Sequence, residues 1–178
     1  MRKLVALLCA VCAFVVAGGG AWAGEPTAGT LSVDRGRGVV MIDFRGSALG
    51  KLGSGTLRVT DLTPNDRFTA LVAGRKLTQE RLGLRTVVYR GQGLRFRMLG
   101  GGYRMVARGW GITLSAVGRG IFMLDGEPRF PGDDVGVYSS TPGIDCSVES
   151  PSCTPLPTEP VRLALEPPPD TPSPRRVP

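Results

Sequence analysis

The chain has 178 residues, a formal net charge of +7, no histidine, and 26 glycines. That length accommodates one ordinary domain with flanking segments. The lack of histidine removes the usual general acid–base and metal-ligand side chain. Glycine at this density excludes a helical domain, because each one costs about 1 kcal/mol relative to alanine in a helix interior.

Met1-Arg2-Lys3, an apolar run over residues 4–17 and the site Ala21-Trp22-Ala23 together describe a secretory signal peptide, residues 1–23, cleaved after Ala23. The apolar run falls short of the roughly 20 residues that a spanning helix needs, and Gly18-Gly19-Gly20 interrupts it. Leu8 and Val11 stand where a lipid-attachment box requires a small residue before Cys9 or Cys12. The expected product is a secreted, extracytoplasmic chain with no transmembrane anchor after cleavage. Loss of Arg2 and Lys3 takes its formal net charge from +7 to +5.

Residues 24–28 read as a leader, and residues 29–134 as a β-domain. Gly29 to Asp34 is a first strand, and Val39 to Phe44, apolar on both faces, is a central, doubly buried one. Thr56 to Thr60 is a third, followed by the turn Thr63-Pro64-Asn65-Asp66. Leu77 to Leu82 reads as a single helical turn with Thr78 as its N-cap. Thr86 to Tyr89 is again a strand and leads into the most regular part of the chain.

There a glycine triplet recurs every nine residues: Gly91-Gln92-Gly93, Gly100-Gly101-Gly102, Gly109-Trp110-Gly111 and Gly118-Arg119-Gly120. An alternating run such as Leu94-Arg95-Phe96-Arg97-Met98 follows each. Strand alternation punctuated by turns predicts an antiparallel meander with glycine at the positive-φ positions of hairpins. The expected fold is all-β: a single small antiparallel β-barrel or sandwich. The alternative is a β-solenoid with two units per coil. A calcium-binding nonapeptide roll is excluded, because no acidic residue occurs between Arg81 and Leu124.

From residue 135 the composition turns proline-rich, with eleven of the fifteen prolines between Pro142 and Pro178. Residues 135–178 are therefore expected to form a disordered tail. It carries Cys146 and Cys153, whose short separation in an exported chain predicts a disulfide. Two thiolates without histidine do not complete a zinc site, so no metal and no cofactor are expected.

Between Glu80 and Asp125 lie eight arginines and no carboxylate. With Leu94, Phe96, Met98, Tyr103 and Met105 facing a core, alternation turns Arg95, Arg97, Arg104 and Arg108 to the solvent face. That basic plate suits a polyanion. Its competing explanation is a solvated face neutralised by Asp34, Asp43 or the acidic stretch 125–149. Trp110, between two glycines, is a candidate stacking platform beside the arginines; otherwise its indole caps one end of a barrel.

The stretches Gly55-Thr-Leu-Arg-Val-Thr-Asp and Gly111-Ile-Thr-Leu-Ser-Ala-Val-Gly-Arg-Gly resemble the uncharacterised, glycine-rich, signal-peptide-bearing all-β proteins of high-GC bacteria. The resemblance spans roughly Gly29 to Gly126 and implies a fold but no activity. Catalysis lacks support: Ser47, Ser54 and Ser115 have no activating partner in the sequence, and Asp133-Asp134 reads as a turn. The expectation is a non-enzymatic exported domain binding an anionic envelope polymer through Arg95, Arg97, Arg104, Arg108 and Trp110. The alternative is a structural or protein-interaction module that meets an envelope protein. Specific nucleic-acid binding is not expected. An enzyme drawing carboxylates from distant strands is the third class.

Overall fold

The computed structural model describes residues 28–64, 69–148 and 151–166. The expected signal peptide and the final proline-rich residues lie outside the described residues. Among the described residues seven strands form one antiparallel sheet: β1 (Gly29–Asp61), β2 (Leu71–Arg81), β3 (Thr86–Met98), β4 (Gly102–Gly126), β5 (Val137–Ser139), β6 (Thr154–Pro155) and β7 (Val161–Leu165). The main path runs β2-β3-β1-β4-β7, with β5 against β1 and β6 against β5. The path ends at β2 and β7, so the sheet is not closed into a barrel.

The all-β antiparallel expectation holds, but most of the glycine triplets are not hairpin turns. Only Gly100–Gly102 marks a connection, between β3 and β4; the other three triplets lie inside long strands. The register shows why. Gly38 faces Gly109, Gly55 faces Gly109, and Gly55 also faces Gly91. The residues between the glycines of Gly36–Gly38, Gly53–Gly55, Gly91–Gly93 and Gly109–Gly111 fall in one row across the sheet, Arg37 beside Trp110, Trp110 beside Ser54 and Ser54 beside Gln92, and Arg75 of β2 continues the row beside Gln92. Glycines from β1, β3 and β4 thus form a continuous crease along which neighbouring strands bend together.

Each strand also changes face at the crease. The buried positions run Val33 then Val40, Leu52 then Leu57, Tyr89 then Leu94, and Ala107 then Ile112. Each pair is an odd number of residues apart, so alternation slips by one, as at a β-bulge. A second bend at Gly46, Gly118 and Gly120 keeps the alternation, with Phe44 followed by Ala48 and Ala116 by Phe122. Residues 38–45 consequently pair with 102–109 on one side and 119–126 on the other. The sheet is folded over a single apolar cluster drawn from β1, β3, β4 and β7. No helix covers that cluster among the described residues, so the sheet must cover itself.

Two local expectations are corrected. Residues 77–81 belong to β2 rather than to a helical turn with Thr78 as cap; pairing with β3 overrides local preference. The ordered chain also extends past residue 134. Val135, Leu156 and Leu165 are in the core, β5 pairs with residues 32–34, and β7 pairs with residues 120–124. Cys146 and Cys153 are joined as a disulfide. That loop is tied to β1 by the buried Ser32, whose Oγ accepts the Cys146 N–H at 3.0 Å.

The crease depends on missing side chains. A β-carbon on Gly55 would stand 2.1 Å from the Arg108 carbonyl oxygen, and φ there is +147°. Gly55→Ala is expected to cost about 3 kcal/mol through overpacking and backbone strain. Gly83→Ala, at φ +80° with nothing nearby, should cost about 1 kcal/mol. Urea unfolding of both variants measures the contrast, and equal midpoints would contradict the crease. Leu165→Ala should cost about 2–5 kcal/mol if residues 161–165 are part of the core; a midpoint unchanged from that of the parent protein would remove β7 from the cooperative unit.

Candidate functional site

The crease leaves a cleft of about 580 Å³ on the outer surface of the sheet. Its rim carries Arg35, Lys51, Arg75 and Arg95, from β1, β2 and β3. Lys51 and Arg95 are direct cross-strand neighbours, and Ala73 follows Arg95 on the next strand. Like charges placed opposite each other on a sheet repel. Lys51, Arg75 and Arg95 have no carboxylate within 4.0 Å among the described residues. Arg35 does have one: its Nε lies 3.1 Å from Asp34 Oδ2. Asp34 in turn accepts the hydroxyl of Thr113, a residue of the cleft lining, at 2.9 Å.

The floor is almost free of side chains. Gly53, Gly74, Gly93 and Gly111 line it together with Ala73. Arg75 leans across it, since a β-carbon on Gly93 would lie 3.9 Å from Arg75 Nε. The Trp110 indole stands beside the floor: a β-carbon on Gly53 would come within 2.8 Å of its six-membered ring. Trp110 is 54% exposed. It lies on the outer face and does not cap an end of the core.

The five residues singled out from the sequence are separated by this geometry. Arg95 is in the cleft. Arg97 is exposed one row away, between Leu49 and Leu71. Trp110 is on the crease. Arg104 and Arg108 are exposed beyond the crease, and each has a carboxylate partner. Arg104 Nε donates to Asp43 at 2.9 Å, and Arg108 Nη2 donates to Glu127 at 2.8 Å. Arg35, Lys51 and Arg75 were not picked out from the sequence. The signal that marks them is their proximity to the segments Gly36–Gly38, Gly53–Gly55, Gly91–Gly93 and Gly109–Gly111, which only the register brings side by side.

Other polar groups are occupied by local structure. Asp133 accepts the Arg129 N–H and Asp134 the Gly136 N–H, so both carboxylates serve turns. Ser47 Oγ accepts the Gly100 N–H at the β3–β4 connection. The Ser147 backbone N–H and hydroxyl hold the Asp145 carboxyl below its ordinary range, assisted by Ser32 and opposed by desolvation. Burial pushes the Tyr89 phenol up, with the Arg81 guanidinium opposing. Tyr89 borders a smaller cavity, of about 180 Å³, near Asp61 and Arg85. No cluster of three or more metal-ligating side chains occurs among the described residues. No protein-family model, curated protein or solved structure matches this chain.

Proposed function

We propose that the domain works outside the cytoplasm as a non-enzymatic binder of an anionic envelope polymer, held in the glycine-floored cleft. The observation that carries this reading is the set Lys51, Arg75 and Arg95, which lines one cleft without a carboxylate partner among the described residues. A bound anion relieves their mutual repulsion and gains charge-assisted hydrogen bonds from the guanidinium groups. The Arg104 and Arg108 positions already have that relief from Asp43 and Glu127. They contribute to the general positive field and less to the bound state. The disulfide and the absence of a long apolar helix among the described residues fit an extracytoplasmic chain.

A second reading has its own observation. Leu49 and Leu71, 58% and 63% exposed, flank Arg97 in the adjacent row. An apolar row of this kind suits a face of an envelope protein in an interaction module with no polyanion ligand. The two readings differ in ionic strength dependence. Polyanion binding weakens as salt competes, and apolar docking weakens much less.

Co-sedimentation with isolated envelope polymer at low and raised salt tests the choice. The triple variant Lys51→Ala, Arg75→Ala, Arg95→Ala should lose pelleting at low salt by tenfold or more. The double variant Arg104→Ala, Arg108→Ala should keep most of it. Circular dichroism checks that both are folded. Equal loss in the two variants would place binding outside the cleft, and pelleting indifferent to salt would favour the protein-interaction reading.

A further inference from the structure

The cleft contains more than charge, and its other features narrow the class of anion. They rest on the polyanion reading above and go beyond it. Glycine backbone and the Ala73 methyl make a flat, weakly polar floor. A chain of bare phosphates gains nothing from such a surface; a sugar ring does, through its C–H face. The Trp110 indole stands against Gly53 at one margin of that floor and is more than half exposed. Indole faces stack on rings and leave polar edges free for hydrogen bonds.

The spacing of the cations agrees. Lys51 and Arg95 sit on adjacent strands, with Arg75 on the strand beyond and Arg35 on the far side of the β4 residue Thr113. Neighbouring strands are about 4.8 Å apart, so the positive groups repeat at roughly 5–10 Å across the sheet. That step suits one anionic group per sugar or per pair of sugars. It is far wider than the contiguous charges of polyphosphate. Single-stranded nucleic acid also combines rings with charge, but non-specific sites for it provide aromatic platforms for successive bases. Here Trp110 and Phe130 are the exposed large aromatic side chains among the described residues; neither is in the cleft lining, but the Trp110 ring adjoins the lining residue Gly53.

We infer that the cleft takes an anionic glycan, a polymer whose carboxylate, sulfate or phosphate groups are carried on sugar rings. One ring stacks on Trp110, and the anionic groups reach Lys51, Arg75 and Arg95. Trp110 is then a ligand contact and selects for sugar.

The test titrates the parent protein and its Trp110→Leu variant with four probes, monitoring tryptophan fluorescence and a label-free binding signal. The probes are a polyuronate oligomer, a sulfated glycan oligomer, inorganic polyphosphate and a single-stranded oligonucleotide, matched in charge. The expected result is that at least one glycan binds at low salt and perturbs tryptophan emission, a change absent in Trp110→Leu. The substitution should weaken that glycan about tenfold and leave polyphosphate affinity within about twofold. Because Trp110 is exposed, the variant should fold; urea unfolding checks this, and Lys51→Ala provides a second variant that must weaken every anionic probe. If polyphosphate binds as well as the glycans and Trp110→Leu changes neither, the glycan assignment is overturned while the polyanion reading survives. A Trp110-dependent preference for the oligonucleotide overturns it in favour of nucleic acid. Failure of all four probes to bind overturns both readings.

Discussion

Close approach of neighbouring backbones at the glycines of the crease is the constraint from which the other features follow. β-carbons on Gly55 and Gly109 would each stand 2.1 Å from the carbonyl oxygen of the facing strand, a distance no side chain tolerates. Strands free of that bulk bend sharply while remaining hydrogen-bonded to neighbours that bend with them. A sheet folded in this way buries one face against itself. It has no need of helices or of a second, separately connected sheet. The slip in alternation at the crease is part of the same geometry. It keeps apolar side chains inward on both sides of a sharp bend, as Ala107 and Ile112 illustrate on β4.

Much of this was legible in the sequence, and the illegible part has a definite physical origin. The inward residues were readable from alternation alone: Leu94, Phe96, Met98, Tyr103 and Met105 are all buried. The nine-residue spacing was also a real length, that of a strand segment between successive bends at Gly100–Gly102, Gly109–Gly111 and Gly118–Gly120. Its structural meaning could not be read locally. Glycine is chosen for positive φ and for the missing Cβ both in a hairpin and in a crease. The difference lies in a partner strand far away in sequence. The same limit explains the C-terminal segment. Prolines around residues 151–160 obscure a short strand whose Leu163 and Leu165 complete the core only through pairing with β4.

The candidate site was legible in kind but not in membership. An acid-free block of arginines is visible in one dimension, and alternation correctly turns Arg95, Arg97, Arg104 and Arg108 outward. Which of them have partners is a question of tertiary placement. Asp43 and Glu127 lie outside the acid-free block, yet the fold brings them to Arg104 and Arg108. It also brings Lys51 and Arg75 to Arg95 with no carboxylate within 4.0 Å of them among the described residues. Exposed ion pairs are individually worth little. The contrast therefore concerns the ligand more than stability: one group of cations is already satisfied and the other is left to solvent.

That contrast ties the glycines to the charges. A β-carbon on Gly53 would meet the Trp110 ring at 2.8 Å, and Gly111 has φ +64°; on the proposed reading their bare backbone is the floor on which a ligand lies. A floor made by side chains would have left a shallower cleft between the cations of β1, β2 and β3. On the proposed polyanion reading, structural and binding roles fall on the same residues. The glycine-rich β-sheet and the proposed anion site are then one arrangement, and the repulsion between Lys51 and Arg95 links them. It slightly disfavours the empty fold. Any anion that binds only the folded state removes the repulsion and stabilises the sheet by mass action. On that reading the ligand replaces the counter-charge that Asp43 and Glu127 provide on the other side of the crease.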